Sequence, residues 1–433
     1  MGIAKWKRRS LGILIASRQA SFAPLSSVFP VKRARTILIL TAGFGNGHHA
    51  AAYGLREALK AREARMRVAV LDLLRLGYGR AFAFVARLFL GIVRHAPLVW
   101  GGIYRLFDQI SRVERPMALL RKSREILRRL LEEHAVVAIV ATHPAYACVW
   151  GRLRRDPRVS RVPFITVVTD AMPIHASWRH AASDAWIVPD AATAEAMIED
   201  GLPRAKIHAL GFPVSPRFAA FAARTRRPFA GPLRALWIVH GDRRRARRLF
   251  DGLRAVPDLR LTVVCGRDEP LRAELKARAS GARVAVFGWV KRMPELLAAH
   301  HVAITKAGGA IIQECLAARC VPLINHIVPG QEEGNARLVA RLGFGEVCSD
   351  PSAMIATVRR AATDRGASWR RWQEAVERHR RPDAARRAAD LVLRAAADLP
   401  PPSIGRRAPP LKPRSFGEPA RRDQKPLGIL RLP

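Results

Sequence analysis

The sequence predicts an α/β protein built from two doubly wound domains that face each other across a cleft. Short apolar runs of strand length alternate with helical patterns along most of the chain. The alternation is interrupted at GFPVSPRFAAF (211–221), where two prolines and a glycine intervene, and then restarts. Residues able to do chemistry cluster just after the apolar runs, where open α/β sheets bind their ligands.

The first run, TILIL (36–40), empties into TAGFGNGHHAAA (41–52) and predicts a helix over 49–62 with Ala51, Leu55, Ala58 and Leu59 on one face. RVAVLDLL (67–74) is the next predicted strand and completes a β-α-β unit. VVAIVATH (136–143), PFITVVTD (163–170), AWIVP (185–189) and KIHALGFPV (206–214) follow. Runs this uniformly apolar suit a parallel sheet covered on both faces. The second series comprises RALWIVHG (234–241), LRLTVVCG (259–266), RVAVFGWV (283–290), HVAITKAGG (301–309) and VPLINH (321–326). The expected organisation is a basic extension over 1–32, a first domain over 33–213, a second over 214–398, and a tail over 399–433. The tail is rich in Pro and Arg without apolar periodicity, the composition of a disordered segment.

At 433 residues, 49% hydrophobic and 25% charged, the composition is that of a globular protein with room for two cores. The charge is not ordinary: 75 Lys and Arg against 35 Asp and Glu leave a formal +40. Such an excess calls for an anionic partner, whether nucleic acid, an acidic membrane face or a phosphorylated substrate. Arginine and alanine dominate throughout, so charge alone does not define a nucleic-acid binder. Five scattered cysteines with no CxxC spacing predict reduced, mostly buried thiols, which fits a cytoplasmic protein. The start MGIAKWKRRSLGILIASRQA has the basic flank of a signal peptide, but LGILIA is at the short limit for its apolar region and no persuasive cleavage site follows. No stretch is long and clean enough to predict a membrane-spanning helix. The apolar, aromatic segment 78–107, punctuated by Arg80, Arg87, Arg94 and Arg105, reads either as a pair of core helices or as an element lying in a membrane interface.

Two stretches carry chemistry. In HVAITKAGGAIIQECLAARCVPLINHIVPGQEEGN (301–335), a strand ends at Lys306, Gly308 and Gly309 follow, and a helix starts near Ala310. Glycines admit a ligand to the backbone, free helix N–H groups attract a phosphate, and Lys306 adds positive charge. Glu314, further into that helix, can accept two hydrogen bonds from a ribose diol. Gln331, Glu332 and Asn335 reach the same sheet edge, and amides and carboxylates match sugar hydroxyls. The other stretch is the glycine loop with its adjacent His48 and His49, a pattern that a plain connection does not need.

TKAGGAIIQECLAARCVPLINHIVPGQEEGNARLV resembles the donor-binding segment of the monogalactosyldiacylglycerol synthase and processive diacylglycerol glucosyltransferase family, which is related to the peptidoglycan N-acetylglucosaminyltransferase. GFGNGHHAAA, ATHPAY (141–146), VVTDAMPIHASW (167–178), GFPVSPRF (211–218), VVCGRDEPL (263–271) and FGWVKRM (287–293) resemble further family segments in the same order, together spanning roughly 36–345. The resemblance implies the GT-B fold, two Rossmann-like domains facing a cleft. It implies that His48 is the general base of an inverting transfer of a hexose from a UDP-sugar to diacylglycerol or a similar lipid. A neutral imidazole, with a pKa near 6.5, suits that task. Gly43, Gly45 and Gly47 then keep the loop close to both substrates, and His49 is expected to face the helix or solvent. Asp170 is read as orienting a histidine or the acceptor hydroxyl, or as a strand-end cap. The resemblance places His143, His175 and Trp178 on the acceptor side, Trp178 as lipid contact or core packing. It places Arg267, Trp289 and Val290 at the donor, toward uracil.

No DxD metal clamp occurs, so no metal or other cofactor is expected, and the helix start at Gly308-Gly309 with basic residues would stabilise the leaving diphosphate. The first strand of the second domain departs from the family pattern: LWIVHGDRRRARR (236–248) has one glycine, then arginines. Either Arg243–Arg245 replace the glycine-rich loop by direct charge, or donor binding is altered or lost. The expected partners are a UDP-hexose, a lipid acceptor and an anionic membrane surface at the inner face of the cell membrane, with no specific nucleic acid. A UDP-sugar 2-epimerase of the same fold and a catalytically inactive basic relative are the alternatives.

Overall fold

The computed structural model describes residues 34–43, 46–96, 99–102, 120–170, 176–178, 182–225, 229, 231–279, 281, 283–330 and 332–398. The extension over 1–32 and the tail over 399–433 lie outside them, as do Gly45, His175 and Gln331. The first half contains β1 (Thr36–Leu40), α1 (Asn46–Arg62), β2 (Arg67–Leu71), α2 (Leu73–His95) and α3 (Arg121–Glu133). It continues with β3 (Val136–Ala141), α4 (Ala145–Leu153), β4 (Phe164–Val167), β5 (Ala185–Ile187), α5 (Ala191–Glu199) and β6 (Ile207–His208). The second half contains α6 (Pro216–Arg224), β7 (Leu233–Ile238), α7 (Arg243–Arg254), β8 (Leu259–Val264), α8 (Glu269–Arg278), β9 (Val284–Phe287) and α9 (Met293–Ala299). β10 (Val302–Lys306), α10 (Gly309–Ala317), β11 (Val321–His326), α11 (Glu333–Leu342) and β12 (Glu346–Val347) follow. Three helices, α12 (Pro351–Thr363), α13 (Ala367–His379) and α14 (Ala384–Ala397), close the described chain.

Every strand pairing is parallel, in two six-stranded sheets ordered β2-β1-β3-β4-β5-β6 and β12-β11-β10-β7-β8-β9. β1 and β3 are buried at every position, which is why they read as unbroken apolar runs. The strand order reverses at β1 in one sheet and at β7 in the other. A crevice therefore opens beyond the carboxyl ends of β1 and β3, and another beyond β7 and β10.

Several boundaries differ from the sequence reading. RVAVLDLL leaves the sheet at Leu71 because Asp72 caps α2, its carboxylate accepting from the Arg75 N–H at 2.9 Å. That local bond satisfies a helix donor that would otherwise lack a partner. KIHALGFPV pairs only at Ile207–His208, and the rest forms the hinge. α1 begins at Asn46, three residues earlier than expected. β12, with two residues, is too short to carry any periodicity.

The division at 213/214 also needs correcting at the far end. α14 returns to the first sheet, where Ala385, Ala388, Ala389 and Val392 share a core with Ala51, Leu55, Leu59 and Val140. Arg62 pairs with Asp390 at 2.7 Å, and Arg35 donates to the Ala396 carbonyl at 2.7 Å. The hinge is seated just as firmly. A Cβ on Gly54 of α1 would lie 2.0 Å from the Pro213 carbonyl oxygen, so only glycine permits this approach.

Of segment 78–107, residues 97, 98 and 103–107 lie outside the described residues. Within α2, Phe82 enters the first core while Phe84 is 62% and Leu88 55% exposed. An apolar groove runs along Phe84, Arg87, Leu88, Gly91, Ile92 and Ala96. This outer face of α2 is not core. No helix among the described residues is long and apolar enough to cross a membrane.

Candidate active site

His48 sits in the first turns of α1, at the crevice between β1 and β3. Its Nδ1 lies 2.7 Å from the Thr142 carbonyl oxygen and 3.0 Å from Thr169 Oγ1. A carbonyl can only accept, so Nδ1 carries the proton of the neutral ring and Nε2 keeps its lone pair. Thr142 closes the clasp by donating its hydroxyl to the His48 carbonyl at 3.1 Å. Burial lowers the His48 pKa, outweighing the Asp170 carboxylate and the Thr142 hydrogen bond, which raise it. The lowered pKa favours the neutral ring, with the proton on Nδ1 and the lone pair on Nε2.

The other first-domain candidates gather around it. The His143 ring meets His48 edge-on at 4.8 Å, and burial together with His48 holds its pKa well below the ordinary value. Trp178 stands 6.2 Å from the His48 ring. It is only 1% exposed, which excludes direct lipid contact, and its Nε1–H donates to Asp170 Oδ2 at 2.7 Å. Asp170 is therefore held by an indole and acts on His48 through space. His49, expected to face the helix or solvent, is half-buried and turns toward the strand end: its Nδ1 lies 3.3 Å from Thr41 Oγ1, and Asp72 interacts with it electrostatically.

Besides Thr142 and Thr169, two more residues of this site are absent from the sequence reading. Asp72 Oδ2 accepts from the Gly43 N–H at 3.1 Å, pinning the glycine loop. Buried Tyr146 donates to the Thr41 carbonyl at 2.7 Å and accepts from the Leu73 N–H at 3.0 Å. The signal for both was their position just beyond apolar runs, Asp72 after RVAVL and Tyr146 in ATHPAY.

On the second-domain side, Gly308 caps α10 and the helix begins at Gly309. A Cβ on Gly309 would lie 2.9 Å from the Thr169 carbonyl oxygen. Glycine thus lets the α10 N-terminus close onto the first domain, with Thr169 touching both it and His48. Glu332 and Asn335, expected at sugar hydroxyls, brace the backbone instead. Glu332 is 4% exposed, forms an ion pair with Lys306 and accepts from the Val328 N–H at 3.1 Å. Asn335 Nδ2 donates to the Ala307 carbonyl at 2.9 Å.

The side-chain carboxyl of Glu314 accepts no hydrogen bond from another described residue, and burial pushes its pKa up to about 8. The Arg267 guanidinium lies 4.9 Å over the Trp289 ring, which is largely exposed, while Val290 packs against the core. Of the arginine run, Arg243 pairs with Asp268 at 2.7 Å and Arg245 donates to the Asn325 carbonyl at 2.9 Å. Among the described residues, no group of three or more His, Cys, Asp or Glu side chains could hold a metal ion.

Two parallel sheets with their reversal points turned toward one another define the GT-B class. Solved structures agree. MurG of Acinetobacter baumannii matches with a TM-score of 0.54 at 14% identity, covering 83% of this chain and 99% of that one. A UDP-GlcNAc 2-epimerase from Neisseria meningitidis, solved with UDP-GlcNAc, matches with a TM-score of 0.54 at 11% identity, covering 83% and 100%. At such identities the likeness is one of fold alone.

Sequence narrows the class. Residues 48–214 match the model of the family described as Monogalactosyldiacylglycerol (MGDG) synthase. The processive diacylglycerol beta-glucosyltransferase of Bacillus cereus (strain B4264) is 26% identical over 370 residues, covering 82% of this chain and 93% of that protein. The same-named protein of Bacillus thuringiensis (strain Al Hakam) matches to the same extent. The chain is a relative of the monogalactosyldiacylglycerol synthase and processive diacylglycerol glucosyltransferase family, as its motifs indicated.

Proposed function

We propose that the chain is an inverting glycosyltransferase that moves a hexose from a UDP-sugar to diacylglycerol or a similar membrane lipid. The observation that carries this reading is the neutral His48, clasped through Nδ1 at the reversal point of the first sheet and linked to the α10 N-terminus through Thr169, which touches both. In the proposed reaction Nε2 takes the proton of the acceptor hydroxyl. The oxygen attacks the anomeric carbon from the face opposite the nucleotide, and the bond to the diphosphate breaks with its electron pair leaving on UDP. Asp170 offsets the charge gained by the imidazole. The N-terminus of α10 and Lys306 offset that of the diphosphate, so the reading invokes no metal. Glu314 receives the ribose hydroxyls, and Arg267 with Trp289 lies toward the base.

The outer face of α2 supports a lipid acceptor. Phe84, Val85 and Leu88 are exposed beside Arg80 and Arg87, the pattern of an element lying in a membrane interface. Each cation near an anionic leaflet contributes about 1 kcal/mol, so a few suffice for peripheral attachment at the cytoplasmic face. The epimerase reading rests on fold likeness and gives this face no purpose.

The test is the lipid profile of a bacterial host lacking glycosyl-diacylglycerols, with and without this protein, by mass spectrometry. A new hexosyl-diacylglycerol is expected. An unchanged profile, joined to failure of the purified protein to bind any UDP-sugar, would overturn the reading.

A further inference from the structure

The reversal point of the second sheet holds two histidines that the transfer mechanism does not use. His240 follows β7, Lys306 ends β10 and His326 ends β11, three adjacent strands of one sheet. Lys306 and His326 are partners in register, and the Ala307 N–H donates to the His326 carbonyl at 2.9 Å. A Cβ on Gly241 would lie 3.5 Å from His326 Nδ1, so the histidine ring rests against the turn that follows His240. Neither imidazole has a hydrogen bond to another described side chain. This is the place where the glycine-rich loop of the family gives way to HGDRRRARR.

The arginines of that run do not fill the gap evenly. Arg243 is engaged by Asp268, and the start of α7 is already capped by Asp242, which accepts from the Arg245 N–H at 2.9 Å. The charges facing His326 are Lys306 and Arg245 on one side, Glu332 and Asp242 on the other; those facing His240 are Lys306 and His326. Two positive and two negative groups leave little net charge for a diphosphate to meet. We propose that His240 and His326, flanking Lys306, are diphosphate ligands that take up a proton when the nucleotide binds. This rests on the UDP-sugar reading above.

In the empty protein both rings are neutral. Burial, with Lys306 and His326, pushes His240 down to about 3, and burial likewise lowers His326. A bound diphosphate reverses the local sign and favours the imidazolium form. Proton uptake then makes affinity rise as pH falls through the bound-state pKa, by at most about tenfold per pH unit for one proton.

Calorimetry of UDP binding to the full chain between pH 6 and 8, in two buffers of different ionisation enthalpy, counts the protons directly. Net uptake is expected for the wild-type chain and for His48→Ala, and none for uridine, which lacks the diphosphate. The double variant His240→Asn/His326→Asn should lose the uptake and bind UDP about ten- to a hundredfold more weakly. The terminal phosphate of free UDP also titrates, a contribution common to both titrations. UDP binding without uptake in the wild-type chain, or with the same uptake in the double variant, overturns the proposal and leaves the donor reading standing. Absence of UDP binding at every pH overturns the donor reading and this proposal with it.

Discussion

The proton on His48 Nδ1 is fixed by the Thr142 carbonyl oxygen 2.7 Å away, so the backbone itself selects the tautomer of the proposed base. Because the acceptor is a main-chain carbonyl, replacing the Thr142 side chain does not remove it, which helps to isolate the role of the imidazole. His48→Ala is expected to lower kcat by about a hundred- to ten-thousandfold while leaving the Kd for UDP within about twofold. Loss of both, or of neither, in parallel assays of transfer and UDP binding would remove His48 from the mechanism.

The same ring makes a statement about pH. Only its neutral form accepts a proton, and burial sets its pKa below 6.5. At saturating donor, kcat should therefore be flat through neutrality and fall only as pH drops below that value. A pH–rate profile with its acidic limb centred above 6.5 would contradict this.

Glu314 should separate stability from binding. Its pKa is raised from 4.5 unfolded to about 8 folded. The folded chain thus binds the proton more tightly, and the wild-type protein loses stability as pH rises from the first value towards the second. Glutamine escapes that loss. Glu314→Gln is expected to have the higher Tm at pH 8 but not at pH 4, and to weaken UDP binding by about ten- to a hundredfold. Equal melting curves at both pH values, or undiminished UDP binding, would count against a desolvated ribose ligand.

Gly309→Ala tests how closely the domains meet. The added methyl would stand 2.9 Å from the Thr169 carbonyl oxygen, and relieving it must move α10 or the loop that carries Thr169. Overpacking of this kind costs about 1–3 kcal/mol. If the domains separate to accommodate it, kcat/KM should fall by more than tenfold with only a modest drop in Tm, as read by steady-state kinetics and calorimetry together.

Membrane attachment is open to the same separation of effects. Phe84→Glu with Leu88→Glu changes side chains that are 62% and 55% exposed, so the fold should be unaffected. Co-sedimentation with vesicles containing anionic lipid should fall sharply, and UDP affinity should not change. Sedimentation equal to that of the wild-type chain would place the membrane contact elsewhere.

How much of this was legible in the sequence depends on the range of the interaction involved. The strands and the glycine loops were readable because burial on both faces and the end of a strand leave local marks. The contact of His48 with Thr142 was not, since it joins residues 94 positions apart through a backbone atom. Glu332 and Asn335 were assigned to sugar hydroxyls on side-chain chemistry that serves equally well to hold the Ala307 and Val328 backbone. Trp178 shows the same ambiguity, resolved only by its burial and its bond to Asp170. The outer face of α2 was left open between two readings because an apolar helix reads alike whether protein or another phase covers it.

The return of α14 to the first sheet has a consequence for the order of assembly. The face of α1 that carries Leu55 and Leu59 is covered by residues 384–397, which leave the ribosome after both sheets have been synthesised. Until then the helix bearing His48 has a bare apolar flank, and the first domain cannot be completed from its own stretch of chain. Cutting the gene at the hinge would yield two unfinished pieces, whereas supplying the last helix as a separate peptide should restore the first. The chain thus fastens the half that carries His48 with its last described helix, so a nascent protein completes that half only when nearly all of it has been made.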